Sequence, residues 1–187
     1  AKQGVADPAA LFALAGGSPM EALALAGEGM DAAWIGALPE RVALVAGTPD
    51  PARRRSWTYQ QLLTEATRAA HALHARFEPG ERVAVWAHNI PEWIILEMAC
   101  ALSGVVLVTV NPALRAAEVQ YVLTQSGAAG LFVVDSFRGY PMRQTALQLQ
   151  PECSALRDIV CFDDWAAFIA EGDAPTRPLP EVLPGDA

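Results

Sequence analysis

From Arg41 onward the apolar positions of this chain follow two rhythms in turn. Short runs rich in Val, Leu and Ile read as buried strands, and longer stretches with apolar residues three and four apart read as helices. RVALVAG (41–47) and SWTY (56–59) flank a turn marked by Pro49, Asp50 and Pro51, which predicts an antiparallel hairpin. QQLLTEATRAAHALHARF (60–77) places Leu62, Leu63, Ala66, Ala69, Ala70, Leu73 and Phe77 on one helical stripe. RVAVWA (82–87) is the next strand. The spacing of Asn89 and Glu92 around Pro91 then predicts a helix capped by Asn89 and closed by Gly104. VVLVTV (105–110) is a strand stopped by Asn111 and Pro112.

The same alternation runs to residue 172. AAEVQYVLTQS is a helix closed by Gly127, GLFVVD a strand, YPMRQTALQLQ a helix and LRDIVCF a strand. DDWAAFIAEG is a short helix with Asp163 or Asp164 at its cap. Strand and helix in turn with short connections predict an α/β fold, a layered parallel sheet with helices on both faces. Three segments are expected: a helical or irregular stretch over 1–40, the α/β unit over 41–172, and a Pro-rich linker over 173–187. The linker carries four prolines and no periodicity.

Between Trp93 and Val110 the only charge is Glu97. A membrane span needs roughly 20 apolar residues of uniform helix. Here a cap, a Ser-Gly break and a change to β-branched residues divide the run, so it reads as helix followed by strand. Both are expected to be buried on nearly all sides, as in a sheet covered on both faces.

Composition narrows the functional classes. A chain that is 52% hydrophobic can bury a core, and a net charge of −8 argues against a nucleic-acid partner. Arg53, Arg54 and Arg55 read as a solvated turn. Cys100, Cys153 and Cys161 have no metal or disulfide spacing, and Cys100 reads as a small buried hydrophobe. His71 and His74 share a helix without a third ligand in view, and read as surface or stripe-edge residues. GEGMDA (27–32) matches a dinucleotide-loop pattern but lacks a strand before it, so a chance match is the better reading. No basic flank leads into a long apolar run at the N-terminus, and a cytoplasmic protein is expected.

In an open parallel sheet ligands bind beyond the C-terminal strand ends. Those ends carry His88 and Asn89, Asn111 and Pro112, and Asp135, Ser136, Phe137 and Arg138. Each also reads as a turn former or cap. No complete active site is visible, and a free-standing binding or scaffold module is one reading of such a chain.

SWTYQQLLTEATRAAHAL resembles the opening motif of the adenylate-forming enzymes, which include acyl-CoA synthetases, luciferases and adenylation domains of peptide synthetases. GERVAVWAHNIPEWIILEMACALSGVVLVTVNPALRAAEVQYVLTQSGAAGLFV resembles their next block, and the likeness runs from about Arg41 to Ala170. VTVNPALRAAEVQYVL followed by DSFRGY is most similar to fatty-acid and medium-chain acyl-CoA synthetases. The resemblance implies an N-terminal subdomain of that fold in truncated form. It also implies a parent that uses ATP, Mg2+ and CoA on a carboxylic acid. The chain stops short of the family's Ser/Thr/Gly-rich phosphate loop and lacks its later motifs. No catalytic residue is therefore carried over, no ligand is expected on the fragment, and a surface left by truncation would favour dimerisation. Some members place arginines after the strand equivalent to GLFVVD, against the nucleotide part of CoA. Arg138 and Arg143 lie there, with plain surface arginines as the alternative.

Overall fold

The structure is a computed structural model, and it describes residues 37–183. GEGMDA and most of the 1–40 segment lie outside the described residues; of that segment, Leu38–Glu40 forms a single 3-10 turn. Strands β1 (Val42–Val45) and β2 (Ser56–Thr58) pair antiparallel as the hairpin pattern predicts, with a bulge between Val42 and Leu44. Asp50 caps the 3-10 turn between them, accepting from the Ala52 N–H at 3.0 Å.

Helix α1 (Tyr59–Arg76) starts at a capping box. Thr58 Oγ1 accepts from the Gln61 N–H at 3.2 Å, and Gln61 Oε1 accepts from the Thr58 N–H at 2.9 Å. Such a cap stabilises a helix start by about 1 kcal/mol. Leu62, Ala66, Ala69, Ala70, Leu73 and Phe77 are buried as the stripe requires, but Leu63 is exposed. It lies about 100° around the helix from Leu62, past the edge of the buried face. His74, by contrast, is buried.

The main sheet is β3 (Arg82–Trp86), β4 (Val106–Val110), β5 (Gly130–Val133) and β6 (Asp158–Cys161). All pairs are parallel, in the order β4-β3-β5-β6. The connections contain α2 (Pro91–Ser103), α3 (Ala116–Ser126) and α4 (Met142–Leu149), and α5 (Trp165–Ala170) follows β6. The chain moves one way from β3 to β4 and the other way to β5 and β6. Right-handed crossovers then put α2 on one face and α3 and α4 on the other. Helices α1, α2 and α5 share the first face, and α3 packs on α4. Between these layers Trp86, Phe77, Phe132, Leu73, Ile95 and Leu131 are fully buried.

Other local expectations also fail. Asn89 does not cap α2, because the cap position falls on Ile90 and no side chain bonds there. Nor is the 93–110 run buried on nearly all sides. Strand β4 is an edge strand with Val106 and Thr109 exposed, and α2 turns Glu97, Met98 and Ala101 to the surface. Gly104 and Gly127 do close α2 and α3 in the left-handed conformation, at φ 69° and 62°. Asp164 holds the position before α5 but makes no capping bond. Among the described residues no helix is long and apolar enough to cross a membrane.

Candidate ligand crevice at the strand ends

The reversal of direction between β4 and β5 makes the C-terminal ends of β3 and β5 a topological switch point, where open α/β sheets bind ligands. Two segments meet there. The first is the end of β3, Trp86, followed by Ala87, His88 and Asn89. The second is a tight turn after β5, in which Phe137 and Tyr140 exchange both backbone hydrogen bonds, at 3.1 and 3.0 Å. Its central residues, Arg138 and Gly139, have φ of 50° and 77°, which makes this a two-residue hairpin loop of the mirror-image kind.

Aromatic rings tie the two segments together. His88 stacks on Phe137 with centroids 5.3 Å apart, and Tyr140 meets Trp86 edge-on at 6.1 Å. Phe137 and Tyr140 also carry guanidinium groups. Arg138 lies over Phe137 at 5.1 Å, and Arg115 lies over Tyr140 at 4.3 Å. Each stack is attracted through the ring quadrupole and presents a weakly hydrated, always charged fork beside the crevice. His88 Nδ1 and Trp86 Nε1 are buried there without a hydrogen-bond partner.

The sequence-derived candidates separate in this frame. Arg138 belongs to the cluster. Arg143, in the first turn of α4, is paired with Asp164 at 3.2 Å, and its N–H donates to the Asp135 carbonyl. Asn111 takes the turn role read for it, its Oδ1 accepting from the Ala113 N–H at 2.9 Å. Arg55 pairs with Glu92 while the rest of the arginine turn is exposed. Sequence reasoning misses Arg115. The only local hint is its place four residues after Asn111, and its partner Tyr140 is distant along the chain.

Beside Asn89 lies a cavity of about 480 Å3, walled by Leu44, Val45 and Ala46 on one side and Ile90, Trp93 and Ile94 on the other. A second hollow of about 460 Å3 is open on the outer surface of α1 and α2, between Tyr59, Leu63, Met98 and Leu102. Its lining is almost wholly apolar. Burial pushes the Cys100 thiol up to about 12, so it is no nucleophile. Among the described residues no group of three or more His, Cys, Asp or Glu could hold a metal ion.

Fold and crevice define a doubly wound α/β unit with its candidate ligand site at the switch point. Comparison with known proteins gives the family: residues 32–183 match the AMP-binding enzymes, and the chain belongs to that family. It is 39% identical over 117 residues to YngI of Bacillus subtilis (strain 168), assigned as an acyl-CoA synthetase, covering 62% of this chain and 21% of YngI. It is 34% identical over 116 residues to the human mitochondrial medium-chain acyl-CoA ligase ACSF2, covering 62% of this chain and 18% of the ligase. Among solved structures, the anthranilate CoA ligase AuaEII in complex with anthranoyl-AMP shares the fold at a TM-score of 0.61. That match is 24% identical and covers 78% of this chain and 27% of AuaEII. The chain thus spans about a fifth of the length of the curated relatives it matches.

Proposed function

We propose that this chain is the N-terminal α/β unit of an AMP-forming acyl-CoA synthetase. In that reaction a carboxylate attacks the α-phosphate of ATP, giving an acyl-adenylate and pyrophosphate. The CoA thiol then displaces AMP to form the thioester. The observation that carries the reading is the family match over 32–183, together with relatives named for acyl-CoA synthesis. The sequence contains no Gly-rich loop ending in Lys that could cradle ATP. The described residues offer no Mg2+ ligand cluster. The unit's own share is positioning and charge at the crevice, and the 187 residues alone are inactive.

Within that reading Arg138 and Arg143 contact the nucleotide part of CoA. Arg138 is the stronger of the two: a non-glycine residue at positive φ is strained by about 1–3 kcal/mol, and such strain collects at functional sites. Arg143 would have to leave Asp164. The unit works in the cytoplasm, in keeping with three free cysteines, and its open apolar hollow between Tyr59 and Met98 supports self-association when the unit stands alone.

Isotope exchange between pyrophosphate and ATP tests the assignment of activity. The isolated chain is expected to give none, and turnover by it would refute the inactivity. In the synthetase containing this unit, Arg138→Gln with Arg143→Gln is expected to raise the CoA KM. An unchanged KM would remove both residues from the CoA site.

A further inference from the structure

The Pro-rich segment after α5 has no regular structure beyond the 3-10 turn Glu171–Asp173, yet it is fastened to the α/β unit along its length. Gly172 is buried so closely on α1 that a Cβ there would sit 1.9 Å from the Arg68 carbonyl oxygen. Asp173 receives a two-pronged contact from Arg68, and Glu171 another from Arg76. Arg177 reaches back to Glu78, with both forks at 3.1 Å, and donates to the His74 carbonyl. Leu179 packs against the core, and Pro180 and Val182 close on Gly104 at the end of α2.

His74 sits under this fastening. It is buried, and its Nδ1 has no hydrogen-bond partner. Burial opposes a positive charge on the ring most strongly, then the Arg177 guanidinium, with His71 adding to them. Glu78 and a hydrogen bond to the Pro178 backbone favour the charge but do not outweigh them. These groups come from α1, the turn after it and the 171–183 segment, and no other titratable group acts on the ring among the described residues. A proton added to His74 would therefore place a second cation beside Arg177, in a site that gives the new N–H no acceptor.

We propose that residues 171–183 form a clasp over α1 whose closure at Arg177 is weakened when His74 takes up a proton, so that acidification loosens its 177–183 end without unfolding the sheet. Opening exchanges the buried neutral imidazole for a solvated imidazolium and releases Arg177 from the His74 carbonyl.

The test follows methyl resonances of Leu179 in the clasp and Leu131 in β5, together with the His74 imidazole, in the 187-residue chain from about pH 8 to about pH 5. Leu179 is expected to move toward its random-coil position with the same midpoint as His74, below the ordinary histidine value of 6.5. Leu131 is expected to stay. One linked proton changes the open-to-closed ratio by up to about tenfold per pH unit. His74→Gln should abolish the transition, and His71→Gln should leave it in place. Opening that persists in His74→Gln would overturn the clasp, as would loss of Leu131 together with Leu179. If His74→Gln does not fold, the native titration decides. A His74 midpoint at or above 6.5, or a protonation that leaves Leu179 unmoved, would also overturn it.

Discussion

The imidazole of His88 lies nearly flat on the ring of Phe137, with the planes 16° from parallel and the centroids 5.3 Å apart. The contact joins the end of β3 to the hairpin after β5 across the switch point, so it fixes where Arg138 is presented. Phe137→Ala removes this stack together with the Arg138 stack. It is expected to cost about 1–3 kcal/mol in urea denaturation, since the ring is half-buried and ring pairs contribute about 0.5–1.5 kcal/mol each. An unchanged midpoint would show that the rings do not hold the turn.

Arg138 separates a structural from a functional role. Its left-handed backbone favours glycine, but the change also removes the guanidinium from the Phe137 ring, so Arg138→Gly should alter the stability of the fold by less than about 1 kcal/mol. The same change should raise the CoA KM of the synthetase. An unaltered CoA KM would mean the arginine is an ordinary surface residue in an awkward turn.

Two glycines are close-approach sites of unequal tolerance. A Cβ on Gly130 would meet the Phe77 ring at 2.5 Å, and one on Gly172 would meet the Arg68 carbonyl at 1.9 Å. The Phe77 contact is with the far end of a side chain, which can move aside, whereas the Arg68 carbonyl belongs to a helical backbone and cannot. Gly130→Ala should cost about 1–3 kcal/mol, the usual range for overpacking. Gly172→Ala should instead lift the clasp from α1. Equal effects of both on the urea midpoint and on the Leu179 resonances would contradict this distinction.

Arg76 bridges Asp158, at 2.7 Å, and Glu171. Arg76→Met would leave Asp158 and Glu171 without the cation they share, at a cost of about 1–3 kcal/mol after allowance for their partial exposure. The more exposed Arg68–Asp173 pair should matter less. Paired substitutions analysed as a thermodynamic cycle, at low and high salt, would check the order.

The pH dependence of stability is set by the signs of the shifts. His74 is held below 6.5 in the fold, so its contribution is complete above that pH and is lost as pH falls toward the folded value. Glu81 is held below 4.5 by Arg157. Glu78, beside Arg177, and Asp173, beside Arg68, are lowered as well. Their contributions persist above the ordinary carboxylate range and disappear as pH falls through the folded values. The thermal midpoint should therefore decline in two stages on acidification, the first removed by His74→Gln. A midpoint that rises as pH drops below 6.5 would contradict the assignment.

Separation along the chain decides which features the sequence reveals and which it conceals. Local signals are legible: the glycines at 104 and 127, the Asn111 turn, and the alternation of strand and helix all lie within one element and its neighbours. The Asn89 cap fails because the ring of Pro91 holds the residue before it out of the helical region, so Ile90 is extended and takes the cap position itself. Leu63 and the outer side of α2 are apolar yet exposed, and periodicity cannot distinguish a face that meets the sheet from one that meets nothing described. The clasp is illegible because its bonds join residues about a hundred positions apart, such as Arg68 with Asp173 and Glu78 with Arg177. Prolines announce only the absence of regular structure. Arg115 escapes for the same reason, since its significance lies in Tyr140.

On the proposed function, the phosphate loop of the synthetase comes after this α/β unit in the chain. The most direct measurement is the coding sequence immediately beyond the codon for Ala187. The account predicts a Ser/Thr/Gly-rich run ending in Pro-Lys-Gly. A stop codon there would contradict it and leave a free-standing α/β module in its place.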